Sequence, residues 1–302
     1  MSNLKVACWN IYFSHKLIEK QNGRFRVAPH QRDRAENVAE IIRSIDADIF
    51  GIIECMPSQK LRFFVSEFLP GYAFKMEGDA DKLNIGILYN VDTVSVKKLR
   101  FSSDSWNAAI GYGGSLQKYK FSRIPLITEV SQNDTGKKFI VAIIHAKSKK
   151  TYTADPEEPY TNRKKIIAQC LRIRELMASI SSRQPNYRRF IVMGDINDGP
   201  GFDKYEAKLA TSGVEALAGN VFKPDDIYHS FVDLTEGGVS TTPFSGAPQL
   251  DHILFSRDMT KSGGPQIKRD TGKIRSDLVD FQGGSGKEKD SDHIPVEIEV
   301  AI

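Results

Sequence analysis

Eight short apolar runs constrain the fold more than any other feature: "KVACWNIYF", "DIFGIIEC", "NIGILYN", "LITEV", "KFIVAIIHA", "RRFIVMGD", "LDHILFS" and "HIPVEIEV". Each is rich in β-branched or aromatic residues and shorter than an ordinary helix, which is the pattern of buried strands. Several follow one another without a helical pattern between them, which argues for mixed or antiparallel sheets rather than one wound by alternating crossovers. Helical periodicity appears elsewhere. "HQRDRAENVAEIIRSI" places Ala35, Val38, Ile41, Ile42 and Ile45 on one stripe, and "NRKKIIAQCLRIRELMASI" does the same for Ile166, Ile167, Cys170, Ile173, Leu176, Met177 and Ile180. A weaker third helix is expected near "FDKYEAKLATSG", ended by Gly213. The expectation is an α/β (α+β) chain with two mixed β-sheets packed face to face in a four-layer sandwich flanked by helices. Gly-, Ser- and Pro-rich loops at 102–120, 151–161, 236–249 and 262–289 do not separate two independent cores, so residues 1–302 are expected to form a single domain.

A chain of 302 residues can bury a core without a metal or disulfide to hold it together, so any metal would serve chemistry. The three cysteines, Cys8, Cys55 and Cys170, are odd in number and widely spaced, giving neither a disulfide framework nor a zinc pattern. The start "MSNLKVACWNIYF" has no cationic segment followed by a long apolar stretch, so it reads as a first strand. No run reaches the ~18 apolar residues a membrane span needs. A cytoplasmic monomer is the expectation. Net charge is +4, from 42 basic and 38 acidic residues, which tolerates a polyanionic partner without requiring one. The basic residues cluster in "HAKSKK" and "NRKK".

Polar residues sit at the ends of the apolar runs. Asn10 follows "VACW", Glu54 follows "DIFGII", and His145 follows "FIVAII". Asp195 and Asn197 follow "FIVMG", while Asp251 precedes "ILFS" and Asp292 and His293 precede "IPVEIEV". One such case is how a strand enters water; six suggest convergence on one rim. In isolation "MGDIND" is either a capped Asx turn or half of a hydrolytic site. The full inventory suits metal-assisted phosphodiester hydrolysis, because an anionic ester repels its nucleophile until a hard cation neutralises it. Asn10, Glu54, Asp195, Asn197 and Asp292 offer the oxygens that Mg²⁺ or Mn²⁺ prefers. His145 and His293 are the proton-transfer candidates, and Asp251 could fix the His293 tautomer. Arg123 in "FSRIPL" offers a planar fork for a phosphate.

With these residues in order, the chain resembles the endonuclease/exonuclease/phosphatase superfamily, from Asn10 to Val296. That superfamily includes pancreatic-type deoxyribonucleases, abasic-site endonucleases, neutral sphingomyelinases and inositol polyphosphate 5-phosphatases. "WNIY", "DIFGIIEC", "FSRIPL", "IIHAKSK", "MGDIND", "LDHILFS" and "SDHIPV" look like its successive motifs. The resemblance implies a deoxyribonuclease-like four-layer sandwich. It also implies that Asn10, Glu54 and Asp292 hold the metal, that Arg123 and Asn10 contact phosphate, and that His145, Asp195, Asn197, Asp251 and His293 form the catalytic group. "GIIEC" departs from the common pattern, with Ile53 replacing a polar Gln. The "HxKSK…R" arrangement is similar to the secreted-nuclease branch and marks Lys147 and Arg163 as substrate contacts. Asn162 could cap the following helix and turn its N-terminus toward an anion.

The expected activity is divalent-metal-dependent phosphodiester hydrolysis by an endonuclease acting on DNA. The alternative is a phosphodiesterase or phosphatase on a small or lipid-headgroup ester. A binding protein on a retired enzyme scaffold would have no reason to keep Asn10, Glu54, Asp195, Asn197, Asp292 and His293 together. Trp106, Tyr112 and Tyr119 could stack on bases or simply pin their loop. His252 alternates away from Asp251 and is expected to be structural or at the rim. His15, His30 and His229 have no motif around them.

Overall fold

The structure, a computed structural model, describes residues 3–79, 83–184, 187–199, 201–219, 230–231, 241–242, 249–280 and 290–302. In chain order its strands are β1 (Asn3–Asn10), β2 (Ile18–Gln21), β3 (Arg24–Val27), β4 (Ile49–Cys55), β5 (Tyr72–Glu77), β6 (Asn84–Asn90), β7 (Val94–Lys98), β8 (Asn107–Tyr112), β9 (Ser115–Lys120), β10 (Leu126–Gln132), β11 (Lys138–His145), β12 (Phe190–Asp195), β13 (Ser230–Phe231), β14 (Asp251–Phe255), β15 (Gln266–Ile274) and β16 (Val296–Ala301). Its α-helices are α1 (Arg32–Ile45), α2 (Ser58–Phe68), α3 (Glu158–Arg183), α4 (Glu206–Leu209) and α5 (Gly213–Ala218).

Two six-stranded sheets dominate, ordered β15-β16-β1-β4-β6-β5 and β13-β14-β12-β11-β10-β7. All eight apolar runs lie in them. Because strand side chains alternate between faces, each central strand feeds two cores. Val6, Cys8, Ile49, Ile53 and Ile298 from the first sheet meet Val141, Ile143, Met193 and Ile253 from the second. The opposite face of the first sheet packs Trp9, Phe50 and Ile52 on α1 and α2. The opposite face of the second packs Ile140, Val192 and Leu254 on α3 and α5. The layers are therefore helix, sheet, sheet, helix. Gly51 marks a close approach of the two sheets: an added Cβ would lie 2.9 Å from Met193 Cε.

Several boundaries differ from expectation. Helix α3 begins at Glu158 rather than at Asn162, because Pro159 is suited to a first helical turn, where its missing N–H is not needed. Asn162 is buried inside the helix and its Nδ2 donates to Lys150 O at 3.0 Å, so it does not cap. Gly213 opens α5 instead of ending a helix, with Ser212 capping the Glu215 N–H. The stretch 102–120 contains the hairpin β8–β9, turned by Gly113 and Gly114 with φ of 60° and 76°; a two-residue turn with both residues left-handed matches strand twist. No helix of the described residues is long and apolar enough to cross a membrane. His229 and parts of the expected loops at 236–249 and 262–289 lie outside the described residues.

Candidate active site

Each sheet contains one parallel pair near its middle, β1 with β4 and β11 with β12. Parallel neighbours deliver their carboxyl ends to the same edge. Asn10 ends β1, Glu54 lies at the end of β4, His145 ends β11 and Asp195 ends β12. His145 and Asp195 are register partners, and antiparallel β14 starts with Asp251 opposite Asp195. Residues 290–293 reach the same rim just before β16. A cleft of about 990 Å³ opens there, lined among others by Asn10, Glu54, Arg123, His145, Lys147, Asp195, Asn197, Asp292 and His293.

Irregular backbone aims these side chains. Ile53 pairs with Ile85 and Cys55 with Asn84, so Glu54 is an extra residue in β4, with φ of 57°. A regular strand would have turned residue 54 onto the helix-covered face. The bulge gives that face to Cys55, which packs with α1 and α2, and frees Glu54 to point into the cleft. Gly194 has φ of 133°, and a Cβ there would sit 2.1 Å from Ile144 O. Asn197 has φ of 56°, and its N–H donates to Asp195 Oδ1 at 2.8 Å. Left-handed backbone at non-glycine positions is strain that concentrates at functional sites. "MGDIND" is thus both an Asx turn and a wall of the cleft.

Asp195 lies at the centre, buried. Asn10 Nδ2 donates to its Oδ2 at 3.0 Å. His145 Nε2 and His293 Nε2 lie 3.5 and 3.9 Å from the same oxygen. Burial, with Asp251 nearby, lifts the Asp195 carboxyl to about 7 against the pull of His293 and its two hydrogen bonds. His293 shares a 2.6 Å hydrogen bond between its Nδ1 and Asp251 Oδ2. Burial disfavours its charge, but Asp251 and Asp195 outweigh burial and raise it to about 10. His145 shows the opposite behaviour. Burial and then the Arg123 guanidinium hold it well below its ordinary value, and Arg123 Nη1 lies 3.0 Å from its Nδ1. A guanidinium only donates, so the imidazole beside it accepts and stays neutral. At neutral pH the two histidines therefore carry different charge. Lys147 also lines the cleft; burial, then Lys165 and Arg123, disfavour its charge.

The residues present fit a hard divalent cation. Asn10 Oδ1 is buried without a hydrogen-bond partner. Glu54 is raised by burial and, after opposing contributions from its Phe13 N–H bond, by the negative charge of Asp292. Two carboxylates and an orphan amide oxygen are the donor set such an ion takes. Asp195, Asp251 and His293 also present ligand atoms within 4.8 Å of one another. In that trio the His293 Nδ1–Asp251 Oδ2 bond occupies one atom of each residue, and Asp251 Oδ1 is buried without a hydrogen-bond partner. No pattern in the sequence marked the supports of this arrangement. Trp9 Nε1 donates to His293 O at 2.9 Å, and Ser291 Oγ donates to Asn10 O at 2.6 Å, stitching the last motif to the first strand.

Other expected residues lie apart. Arg163 does not line the cleft: Nη2 and Nε hold Asp203 Oδ2 at 2.7 and 3.0 Å. The side chain expected to contact substrate is thus paired within the protein. Asp198, the third oxygen-bearing side chain of "MGDIND", turns away to Lys149 Nζ at 2.5 Å. His252 is buried, with Nε2 at 2.8 Å from Asp198 O, as the strand alternation implied. His15 stacks edge-on with Phe13, and His30 is exposed. Trp106 is buried between Phe101 and Phe121, so it pins its hairpin.

A family model for the Endonuclease/Exonuclease/phosphatase family matches residues 7–293. The chain belongs to that family. Its members are hydrolases of phosphate esters and include phosphatases, phosphodiesterases and nucleases. Solved family structures share the fold at low identity. The Bacteroides thetaiotaomicron VPI-5482 mannosyl-6-phosphatase Bt3783 is 17% identical with a TM-score of 0.60, covering 99% of this chain and 100% of that one. Humanized D. rerio TDP2 is 14% identical with a TM-score of 0.59, covering 100% of both chains. D. rerio TDP2 complexed with single strand DNA product is 14% identical with a TM-score of 0.53, again over 100% of both. No curated protein matches the sequence.

Proposed function

We propose that the protein is a divalent-cation-dependent phosphodiesterase whose substrate is nucleic acid, DNA before RNA, cut as an endonuclease. The observation that carries this reading is the position of Asp195 among Asn10, His145 and His293, beside the Glu54 carboxyl, which burial and the charge of Asp292 raise. Asn10, Glu54 and Asp292 would hold Mg²⁺ or Mn²⁺, which when bound supplies charge neutralisation to the phosphate oxygens. Asp195, lifted to about 7, accepts the proton of the attacking water near neutral pH. His293, kept charged by Asp251, donates toward the phosphorane or the leaving oxygen, while Arg123, Asn197 and neutral His145 bear on the non-bridging oxygens. Cations at Arg123 and Lys147 crowd the same wall, which favours a polyanion over a single phosphate.

The competing substrate is a small phosphoester, since one family neighbour is by name a mannosyl-6-phosphatase. The deciding experiment is digestion of supercoiled plasmid, linear duplex, single strands, RNA, a sugar phosphate and a phospholipid, each with Mg²⁺, Mn²⁺ or chelator. Metal-dependent nicking of the plasmid supports the reading, and its affinity should fall steeply with salt. Turnover of the sugar phosphate or lipid alone, with little salt response, replaces it. Undiminished activity in chelator removes the metal.

A further inference from the structure

The motif residues leave one feature of the cleft wall unused. Tyr152 lines the cleft yet is 72% exposed, the highest among the large hydrophobic side chains that stand out on the described surface. An exposed ring on a loose loop would mean little. This one sits on a fixed backbone: its N–H reaches both Glu158 carboxylate oxygens at 3.0 Å, and the Thr153 N–H and hydroxyl each reach Oε2 at 2.7 Å. Glu158 is the first residue of α3, where the helix dipole favours a carboxylate. One acid therefore clamps two successive residues and presents the ring to solvent at the mouth of the cleft.

The surroundings of the ring select its ligand. Lys147 Nζ and Lys150 Nζ lie 5.8 and 5.5 Å from its centroid, and Arg123 stands on the same wall. Both ammonium groups lie within cation–π range of the ring, and Lys147 Nζ also donates to Ser148 O at 2.9 Å. A nucleotide strand satisfies both parts at once, with phosphates on the lysines and a base on the ring. A phosphorylated sugar brings one anionic group, which the Arg123 side of the cleft already accommodates. Tyr12 and Phe13 also line the cleft, but they are only partly exposed and pack edge-on against each other with ring centroids 4.2 Å apart; Trp106 is buried, and Tyr112 lies under Lys164 Nζ at 4.2 Å, away from the cleft.

We propose that Tyr152, flanked by Lys147 and Lys150, is a stacking platform for an unpaired nucleobase next to the phosphate held in the cleft. The inference rests on the phosphodiesterase reading and narrows its substrate to single-stranded or frayed-end nucleic acid, because a base inside a duplex has no free face to offer. Stacking of this kind tolerates any base, so the platform gives affinity without sequence preference.

The test is binding to the full chain in Mg²⁺, using short phosphorothioate-linked single strands that carry 2-aminopurine or an abasic residue at one position. Wild type should bind the 2-aminopurine strand about tenfold more tightly than the abasic one and quench its fluorescence. Tyr152→Ala should abolish both the preference and the quenching, and Tyr152→Trp should retain them, with melting temperatures unchanged because the ring is exposed. Equal binding of the two strands by wild type, or a preference surviving in Tyr152→Ala, overturns the platform. If wild type nicks plasmid while Tyr152→Ala keeps the preference, only the platform falls. If wild type binds neither strand and hydrolyses a sugar phosphate or lipid, the nucleic-acid reading falls and the platform with it.

Discussion

Two buried polar clusters grow from the same six residues, and they differ in one respect. On the cleft side of "MGDIND", Asp195 and Asn197 face Asn10, Glu54, Asp292 and two histidines, with an amide oxygen unbonded. On the far side, Asp198 meets Lys149, which also holds Glu206 Oε1 at 2.5 Å, while Arg163 holds Asp203. The Gly213 N–H completes Asp198 and ties the N-terminus of α5 to the turn. In the far cluster each of the three carboxylates lies against a cation. In the near cluster the carboxyls of Asp195 and Glu54 are instead raised by burial. Matched buried charge holds parts together; unmatched buried charge is costly and persists where chemistry uses it.

Asp195→Asn strikes the unmatched side hardest. It should lower the hydrolysis rate by on the order of 10⁴-fold with the fold retained, measured as initial rate beside a circular-dichroism melt. A rate within tenfold of wild type would erase the distinction. Lys149→Met strikes the matched side and should act on stability instead. Stranding Asp198 and Glu206 should cost about 3–5 kcal/mol, read by urea unfolding, with a far smaller effect on the rate of the folded protein. Glu54→Gln should weaken Mn²⁺ binding about 10- to 100-fold by isothermal titration, and Asp203→Asn should leave that binding alone.

The last prediction sharpens the contrast within the cleft itself. In cation-free protein, NMR should find His293 protonated up to about pH 10 and His145 neutral throughout the neutral range. Asp251→Asn should lower the His293 value. A histidine raised on folding stabilises fully below its ordinary 6.5 and loses that contribution as pH rises through about 10. The stability advantage of wild type over Asp251→Asn should therefore be greatest in mild acid and shrink toward pH 10. A constant or growing difference would remove Asp251 as the partner that charges His293.

Much of this was legible in the sequence, for a physical reason. Central strands are buried on both faces, so "KFIVAIIHA" and "RRFIVMGD" appear as unbroken apolar runs, and whatever polar residue ends such a run marks the rim. Alternation sends Asp251 toward His293 and His252 toward Asp198 O. Edge strands carry no such mark: "QIKRDTGKI" of β15 is mostly polar and bulged, and reads as a loop. Pairings between distant residues are equally hidden, that of Arg163 with Asp203 among them. Tyr152 left no trace at all, because an exposed ring fixed by a carboxylate six residues later has no periodicity to betray it.

The extra residue in β4 has an evolutionary corollary. Remove codon 54 and the ladder from Ile53–Ile85 to Cys55–Asn84 closes into unbroken pairing, with Cys55 still seated on its helices. On the proposed role of Glu54 as a cation ligand, its gain or loss is a single in-frame insertion or deletion at the bulge, between the pairs Ile53–Ile85 and Cys55–Asn84.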